Sequence, residues 1–131
     1  PWAFGRTITN LPVQGLVRRL HVLHASADSS TSGGRVGRYR LHFAGGTTAD
    51  LTLDLSEDIG EFWSTHRHSH CRRGSVAWEG DNAAATRMGS KVRLFHRAWD
   101  NPHPDQELVS LEMIGDLDAT TFFVVAITVE R

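Results

Sequence analysis

The chain has one cysteine among 131 residues. A single thiol excludes an internal disulfide framework and leaves the redox compartment open. Charge of either sign is not in excess: the formal net charge is −1 with neutral histidines. That excludes the strongly basic face of a dedicated nucleic-acid binder, so no nucleic-acid partner is expected. No apolar run approaches the roughly 20 residues that a membrane-spanning helix needs, and no membrane insertion is expected. No signal-peptide pattern is present, and the chain opens at Pro1 rather than Met. It reads as one domain, residues 1–131, excised from or processed out of a larger protein. Gly-x-Ser-x-Gly and His-Glu-x-x-His motifs are missing. Carboxylates are plentiful, but nothing in the sequence sets two of them across a cleft. The reading therefore leans away from an enzyme, with no catalytic residue and no cofactor assigned.

What is present is a period of two. In "VGRYRLHF", Tyr39, Leu41 and Phe43 share one face, and Arg38, Arg40 and His42 the other. "ADLTLDL" alternates again, with Ala49, Leu51, Leu53 and Leu55 apolar and Asp50, Thr52 and Asp54 polar. Alternation of this kind marks half-buried strands. Similar runs are "GLVRRLHVLHA" from Gly15, "SVAW" from Ser75, "KVRLFHRAW" from Lys91 and "ELVSLEMIG" from Glu107. Leu20 and Val22 share a face in the first; Phe95 and Trp99 share one in the third. "TFFVVAIT", Thr121 to Thr128, is apolar on both faces, which predicts a central strand covered on both sides. "SADSSTSGGR", Ser26 to Arg35, is a polar loop, and "EGDNAAATRMGS", Glu79 to Ser90, holds a helical turn or a loop. About seven strands with one apolar face each predict two packed sheets: an all-β antiparallel sandwich, of jelly-roll type.

The turn "AGGTT" tests the register of one hairpin. A three-residue loop Gly45-Gly46-Thr47 would set Phe43 opposite Ala49, Leu41 opposite Leu51 and Tyr39 opposite Leu53. On the polar face it would set His42 against Asp50 and Arg38 against Asp54. Like faces then meet, whereas a two-residue loop would mix them.

The ordered segments "RRLHVLHA", "VGRYRLHFAGGTTADLTL", "GSVAWEGDNAAA", "VRLFHRAWDNPHPDQELVSLEMI" and "TFFVVAITVE" resemble a group of bacterial β-sandwich accessory domains. These sit at the C-terminal ends of large, often secreted or membrane-anchored proteins of environmental bacteria. The likeness covers roughly Arg18 to Glu130. It implies the galactose-binding-like jelly roll common among carbohydrate-binding modules, and an extracytoplasmic or secreted location. The group is mostly of unassigned function, so sugar binding is implied through fold alone. This chain departs from the group's pattern in having "AGGTT" where an Asp-Gly turn is usual, and in carrying "STHRHSHCRRG".

The candidate chemistry follows from these segments. Aromatic faces stack on sugar rings, and neighbouring polar side chains bond the hydroxyls. Trp63 in "EFWSTH", and Trp99, Asp100 and Asn101 in "WDN", have that chemistry; they are the expected carbohydrate-binding residues, with a polysaccharide or oligosaccharide as partner. The plain alternatives are that Trp63 plugs one end of the sandwich and that Trp99 packs beneath the proline turn. Trp78 reads as core, and Trp2 lies close to the start of the chain. In an extended segment His66, His68 and His70 would share a face and could ligate zinc, copper or nickel. Arg67, Arg72 and Arg73 would repel a cation there, and no carboxylate adjoins the three histidines. The plain reading is a solvated basic loop. Asp54, Glu57, Asp58 and Glu61 are ligand types for a structural calcium without the calcium-loop spacing. Arg38, Arg40 and His42 read as a solvated face of weak ion pairs. Three functions are expected in order: a non-catalytic carbohydrate-binding module, a docking domain packed on a neighbouring domain of the parent chain, and a metal-dependent enzyme using the histidine cluster.

Overall fold

The structure is a computed structural model that describes residues 7–27, 34–116 and 121–131. Trp2 and residues 28–33 of the polar loop lie outside the described residues. The strands are β1 (Thr7–Leu16), β2 (Arg19–Ala27), β3 (Arg35–Phe43), β4 (Thr48–Asp54), β5 (Ser75–Gly80), β6 (Val92–Asp100), β7 (Glu107–Gly115) and β8 (Thr121–Glu130). Among the described residues a single short helix, α1 (Ala83–Arg87), follows Asn82, whose Oδ1 accepts from the Ala85 N–H at 2.8 Å. That side-chain cap is what a helix start in "DNAAA" calls for.

Two four-stranded antiparallel sheets pack face to face, one in the order β1-β7-β3-β4 and the other β5-β6-β2-β8. The expected antiparallel sandwich is what forms. The alternating strands bury the faces their sequences mark: Tyr39, Leu41 and Phe43 from β3, Leu51 and Leu53 from β4, Leu20 and Val22 from β2. Leu108 and Leu111 of β7, Val17 and Trp99 join the same cluster. Each fully buried aliphatic side chain there contributes roughly 1.5–3 kcal/mol.

Three expectations need correction. The β3–β4 loop is one residue earlier than expected. The Phe43 N–H donates to the Thr47 carbonyl at 2.9 Å, so Ala44, Gly45 and Gly46 form the three-residue loop. Gly45 and Gly46 both have φ near +90°, and this placement puts both glycines where L side chains are disfavoured. Arg40, not His42, then faces Asp50, and Tyr39 faces Leu51. Faces are conserved because the pairing slips by two.

The second correction concerns β8, which among the described residues is an edge strand paired only with β2. Its apolar residues serve two sides. Phe122, Val124, Ile127 and Val129 pack on the main core, while Phe123 packs on a second cluster with Ala25, Phe95, Leu94 and Phe62. Val125 stays 54% exposed. A shift of register between Leu23 and His24 permits this division.

The third is the strand count. The start of "GLVRRLHVLHA" belongs to β1, and the chain crosses between sheets at Val17 and Arg18. β1 escapes pattern reading because Asn10 has φ 58°, Pro12 breaks the ladder, and two register shifts interrupt its pairing with β7.

The two long sides of the sandwich differ. Segment 55–74 runs along the β4–β5 side, where Leu55 and Ile59 enter the core. Between β1 and β8 lies an open cleft of about 740 Å³, lined by Leu11, Val13, Met113, Phe122, Val124 and Ile127.

Candidate functional site

Directly paired residues share a face of a sheet, so the register fixes what the β5-β6-β2-β8 sheet shows to solvent. β6 points Phe95, Arg97 and Trp99 inward, opposite His24, Val22 and Leu20. Outward it presents Leu94, His96, Ala98 and Asp100. β2 adds Arg19, His21 and Leu23; β8 adds Ala126, Thr128 and Glu130. β5 adds Ser75 opposite His96 and Trp78 opposite Leu94. This outer face is aromatic at its β5 end and polar at its β8 end.

Trp78 is the exposed aromatic of the face, at 49% of its surface. Its position corrects the expectation of a core residue. A shift in register at Ala77 turns the side chain outward. The indole lies over Gly80, two residues on: a Cβ added to Gly80 would sit 2.3 Å from Trp78 Cζ2. Any larger residue there would displace the ring from this seat, because the ring approaches the backbone so closely. The ring is thus seated on the edge strand, with half its surface open.

Trp63 lies in the same ladder. Segment 60–64 runs beside β2 and β6: the Ser26 N–H donates to Gly60 O at 2.9 Å and the Arg93 N–H to Phe62 O at 2.8 Å. Trp63 bridges Val92, which in turn faces Gly80. The backbones of Trp63 and Gly80 are therefore two strand spacings apart, about 10 Å. The Trp63 ring is half-buried and packs edge-on against Phe62 at 5.2 Å.

The polar end carries a chain of hydrogen bonds. His21 Nε2 lies 3.0 Å from Glu130 Oε2, and His21 Nδ1 lies 2.9 Å from His96 Nε2. Arg18 also pairs with Glu130, and Arg19 Nε donates to Asp100 Oδ1 at 3.1 Å. The hydrogen bond with His21 and the Arg18 guanidinium hold the Glu130 carboxyl below the usual range.

The expected sugar-binding residues therefore separate. Trp63 and Asp100 reach this surface; Trp99 and Asn101 do not. Trp99 is 9% exposed and lies between the sheets, edge-on to Tyr39 at 5.7 Å, with the Arg97 guanidinium 4.5 Å from its ring centre. Asn101 is buried and locks the β6–β7 connection. Its amide donates to Val17 O at 2.7 Å, and its Oδ1 accepts from the His103 N–H at 2.9 Å. Trp78, His21 and His96 also stand on this surface and were not among the expected site residues. Gly80 spaced two from Trp78 was the available signal.

The histidine cluster is not a strand, so alternation does not set its three side chains on one face; the His66 and His68 rings lie 5.5 Å apart. Turns run through residues 64–73. His66 Nδ1 accepts from the His68 N–H at 3.1 Å, and His68 Nδ1 bonds Ser56 Oγ at 2.8 Å. The Arg67 Nε donates to His68 Nε2 at 3.2 Å, and His70 is exposed. Among the described residues no group of three or more His, Cys, Asp and Glu is arranged to hold a metal ion.

Of the expected calcium ligand types, Asp58 is used internally. Its Oδ1 accepts from Arg97 Nε at 3.0 Å and from Arg73 at 3.4 Å, and its Oδ2 accepts from the Asp54 N–H at 3.0 Å. Glu57 pairs with Arg72 at 2.8 Å, and Glu61 is buried. His24, beneath the same region, donates from Nε2 to Asp58 O at 2.9 Å and accepts at Nδ1 from the Tyr39 hydroxyl at 2.6 Å. On the opposite sheet the basic stripe is an ion-paired face, with Arg40 2.7 Å from Asp50 and His42 2.8 Å from Glu112.

Comparisons against family models, curated proteins and solved structures return no significant match to this chain.

Proposed function

We propose that this chain is a non-catalytic carbohydrate-binding accessory module, and that the outer face of the β5-β6-β2-β8 sheet receives the glycan. One observation carries the reading: Trp78 is seated over Gly80 with half its surface open, on a face that continues into imidazole, carboxylate and hydroxyl groups. An indole offers a sugar ring an apolar platform at little conformational cost. Ser75 and His96, one row along, stand where hydroxyls of a stacked residue would be met. Trp63, about 10 Å across the ladder, supplies a second aromatic contact for a chain of several sugars. The resemblance of the sequence to galactose-binding-like accessory domains agrees with this reading, as does an extracytoplasmic setting for the parent protein.

Affinity electrophoresis and calorimetry against a panel of soluble and insoluble polysaccharides test it. At least one glycan should bind, and Trp78→Ala should weaken that binding 10-fold or more, as loss of a central aromatic anchor does. Binding to no glycan, or full binding by Trp78→Ala, would remove the proposal.

The docking reading has one observation of its own. The β1–β8 cleft is apolar and open, flanked by Ile8 at 50% and Val125 at 54% exposure. Soluble proteins rarely leave such surface without a partner. Substitutions there, such as Val125→Lys, separate the two readings: they leave glycan binding at Trp78 unchanged.

A further inference from the structure

The outer face of the β5-β6-β2-β8 sheet carries one diagonal of chemistry across all four strands. Glu130 of β8 stands level with Arg19 and Asp100. His21 of β2 is level with Ala98, two residues along β6, and His96 is two residues further. Trp78 of β5 lies opposite Leu94, two residues further again. Each step joins diagonal neighbours, which long and aromatic side chains can bridge. Register alone thus sets the order carboxylate, imidazole, imidazole, indole.

The first three members are hydrogen-bonded, and their protons have one arrangement when both imidazoles are neutral. A carboxylate only accepts. His21 Nε2 therefore donates to Glu130 Oε2 at 3.0 Å. His21 Nδ1 is then bare, and His96 Nε2 donates to it at 2.9 Å. The ring planes are 13° from parallel with centres 5.1 Å apart, so the bond runs edge to edge along the rings. His96 Nδ1 is left without a hydrogen, and among the described residues it has no partner. The two nitrogens of an imidazole diverge. This one turns away from β2, to the side of β5 that holds Ser75 and Trp78. Charge at the other end is balanced: Arg18 pairs with Glu130, and Arg19 with Asp100 at 3.1 Å.

Resting on the glycan-binding reading above, we propose that His96 is the specificity-determining residue of this face. Its Nδ1 accepts a hydrogen bond from a hydroxyl of the glycan anchored on Trp78. The glycan class is uncharged and rich in free hydroxyls. A carboxylate or sulfate at that place has no proton to give the bare nitrogen, and both nearby arginines are already paired. Glu130 and His21 are positioning residues: they act through His96 by fixing which of its nitrogens is bare. The bare nitrogen is partly exposed with its ring, so the ligand reaches it from solvent.

Two measurements at pH 8 test the assignment. Long-range proton–nitrogen correlation spectra of the ligand-free protein read the tautomers directly. His21 and His96 should both carry hydrogen on Nε2 with Nδ1 bare, and His21→Leu should shift His96 toward a mixture of tautomers. A His96 that carries its hydrogen on Nδ1 would overturn the proposal whatever the face binds. Affinity electrophoresis then compares uncharged probes (galactan, xylan and mixed-linkage β-glucan) with polygalacturonate and alginate. An uncharged probe should bind at least 10-fold more tightly than either anionic one. His96→Leu should weaken that binding about 10-fold, as loss of one well-placed hydrogen bond does. His96→Asn sets an amide oxygen near the place of Nδ1 and should restore most of it. Retardation by no probe would defeat the glycan-binding reading together with this proposal. Binding that needs Trp78 but is unchanged in His96→Leu, or that prefers the anionic probes, would overturn this proposal alone.

Discussion

Arg97 reaches inward from β6 and sets its Nε 3.0 Å from Asp58 Oδ1, where the aspartate side chain is only 1% exposed. This ion pair joins a β-strand to segment 55–74, the segment that covers the β4–β5 side of the sandwich. The same guanidinium covers Trp99, so a cation–π contact and a salt bridge share one residue.

Breaking that pair from one side leaves a buried charge without its partner, which typically costs about 3–5 kcal/mol. Asp58→Ala should lower the unfolding free energy by that amount in urea at neutral pH. The double variant Asp58→Leu/Arg97→Met should recover most of the loss, because apolar replacement of both partners removes the desolvation cost together with the attraction. A single variant within about 1 kcal/mol of the wild type would show that Arg97 is satisfied elsewhere.

His24 predicts a pH dependence. Burial lowers its pKa from 6.5 to about 4, against the opposing pull of the Asp58 carbonyl. In the unfolded chain the imidazole takes a proton near 6.5; in the folded protein it resists until about 4. Unfolding therefore takes up a proton between these values, and acid favours the unfolded state. The stability linked to His24 is full above pH 6.5, falls as the pH drops, and is gone near pH 4, a loss of about 3 kcal/mol. Urea midpoints at pH 7.5 and 4.5 measure it. His24→Gln, which can still accept from Tyr39, should flatten the difference by most of that amount. An unchanged slope would show that carboxylates such as Asp50 and Glu130 govern acid sensitivity.

The alternating strands explain why so much of the core was legible. From Tyr39 to Phe43 in β3 and from Ala49 to Leu53 in β4 the apolar side chains sit at a spacing of two and form the more buried face, with Ala49 half-buried; Val36, ahead of the register shift at Gly37, is buried from the other parity. Trp99 shares parity with Phe95 in β6, so its burial was also readable; the polar neighbours Asp100 and Asn101 drew attention from it. Trp78 was not readable, because the register shift at Ala77 breaks parity within a strand of six residues. β8 misled because a strand serving two clusters looks like one covered on both faces. The His21–His96–Glu130 chain joins residues 75 and 109 apart in sequence. Only the pairing of three strands brings them together, and no local pattern encodes that pairing.

The two tryptophans of the outer and inner faces should respond oppositely to truncation. Trp99→Ala removes ring contacts to Tyr39 and His24 and opens a cavity between the sheets, which costs about 3–5 kcal/mol. Trp78→Ala removes a half-exposed ring and should change stability by about 0.5 kcal/mol or less. Gly80→Ala is the sharper test of the platform. Its new methyl would meet the indole at 2.3 Å, so the ring must swing away. Glycan binding should fall although no ligand contact is deleted, and near-ultraviolet circular dichroism should report the moved indole. Binding unaffected by Gly80→Ala would show that the seated ring is not what the ligand meets.

Cys71 gives a reporter for segment 55–74. The thiol is 8% exposed, and burial pushes its pKa from 9.0 up to about 11. Its Sγ donates to the Glu57 carbonyl at 3.4 Å, which ties the thiol to the same segment that holds Asp58. Only the thiolate attacks disulfide reagents. At pH 8 the raised pKa leaves about one thiol in a thousand ionised, against about one in ten for the unperturbed group, so ionisation alone slows labelling roughly 100-fold. Exclusion of the reagent adds to that. Native protein should therefore react with an aromatic disulfide far more slowly than protein in urea. Asp58→Ala should speed the reaction, because it loosens the segment's tie to Arg97. Fast labelling of the native wild type would show that the segment opens without global unfolding, and would place the Asp58–Arg97 pair among weak contacts rather than strong ones.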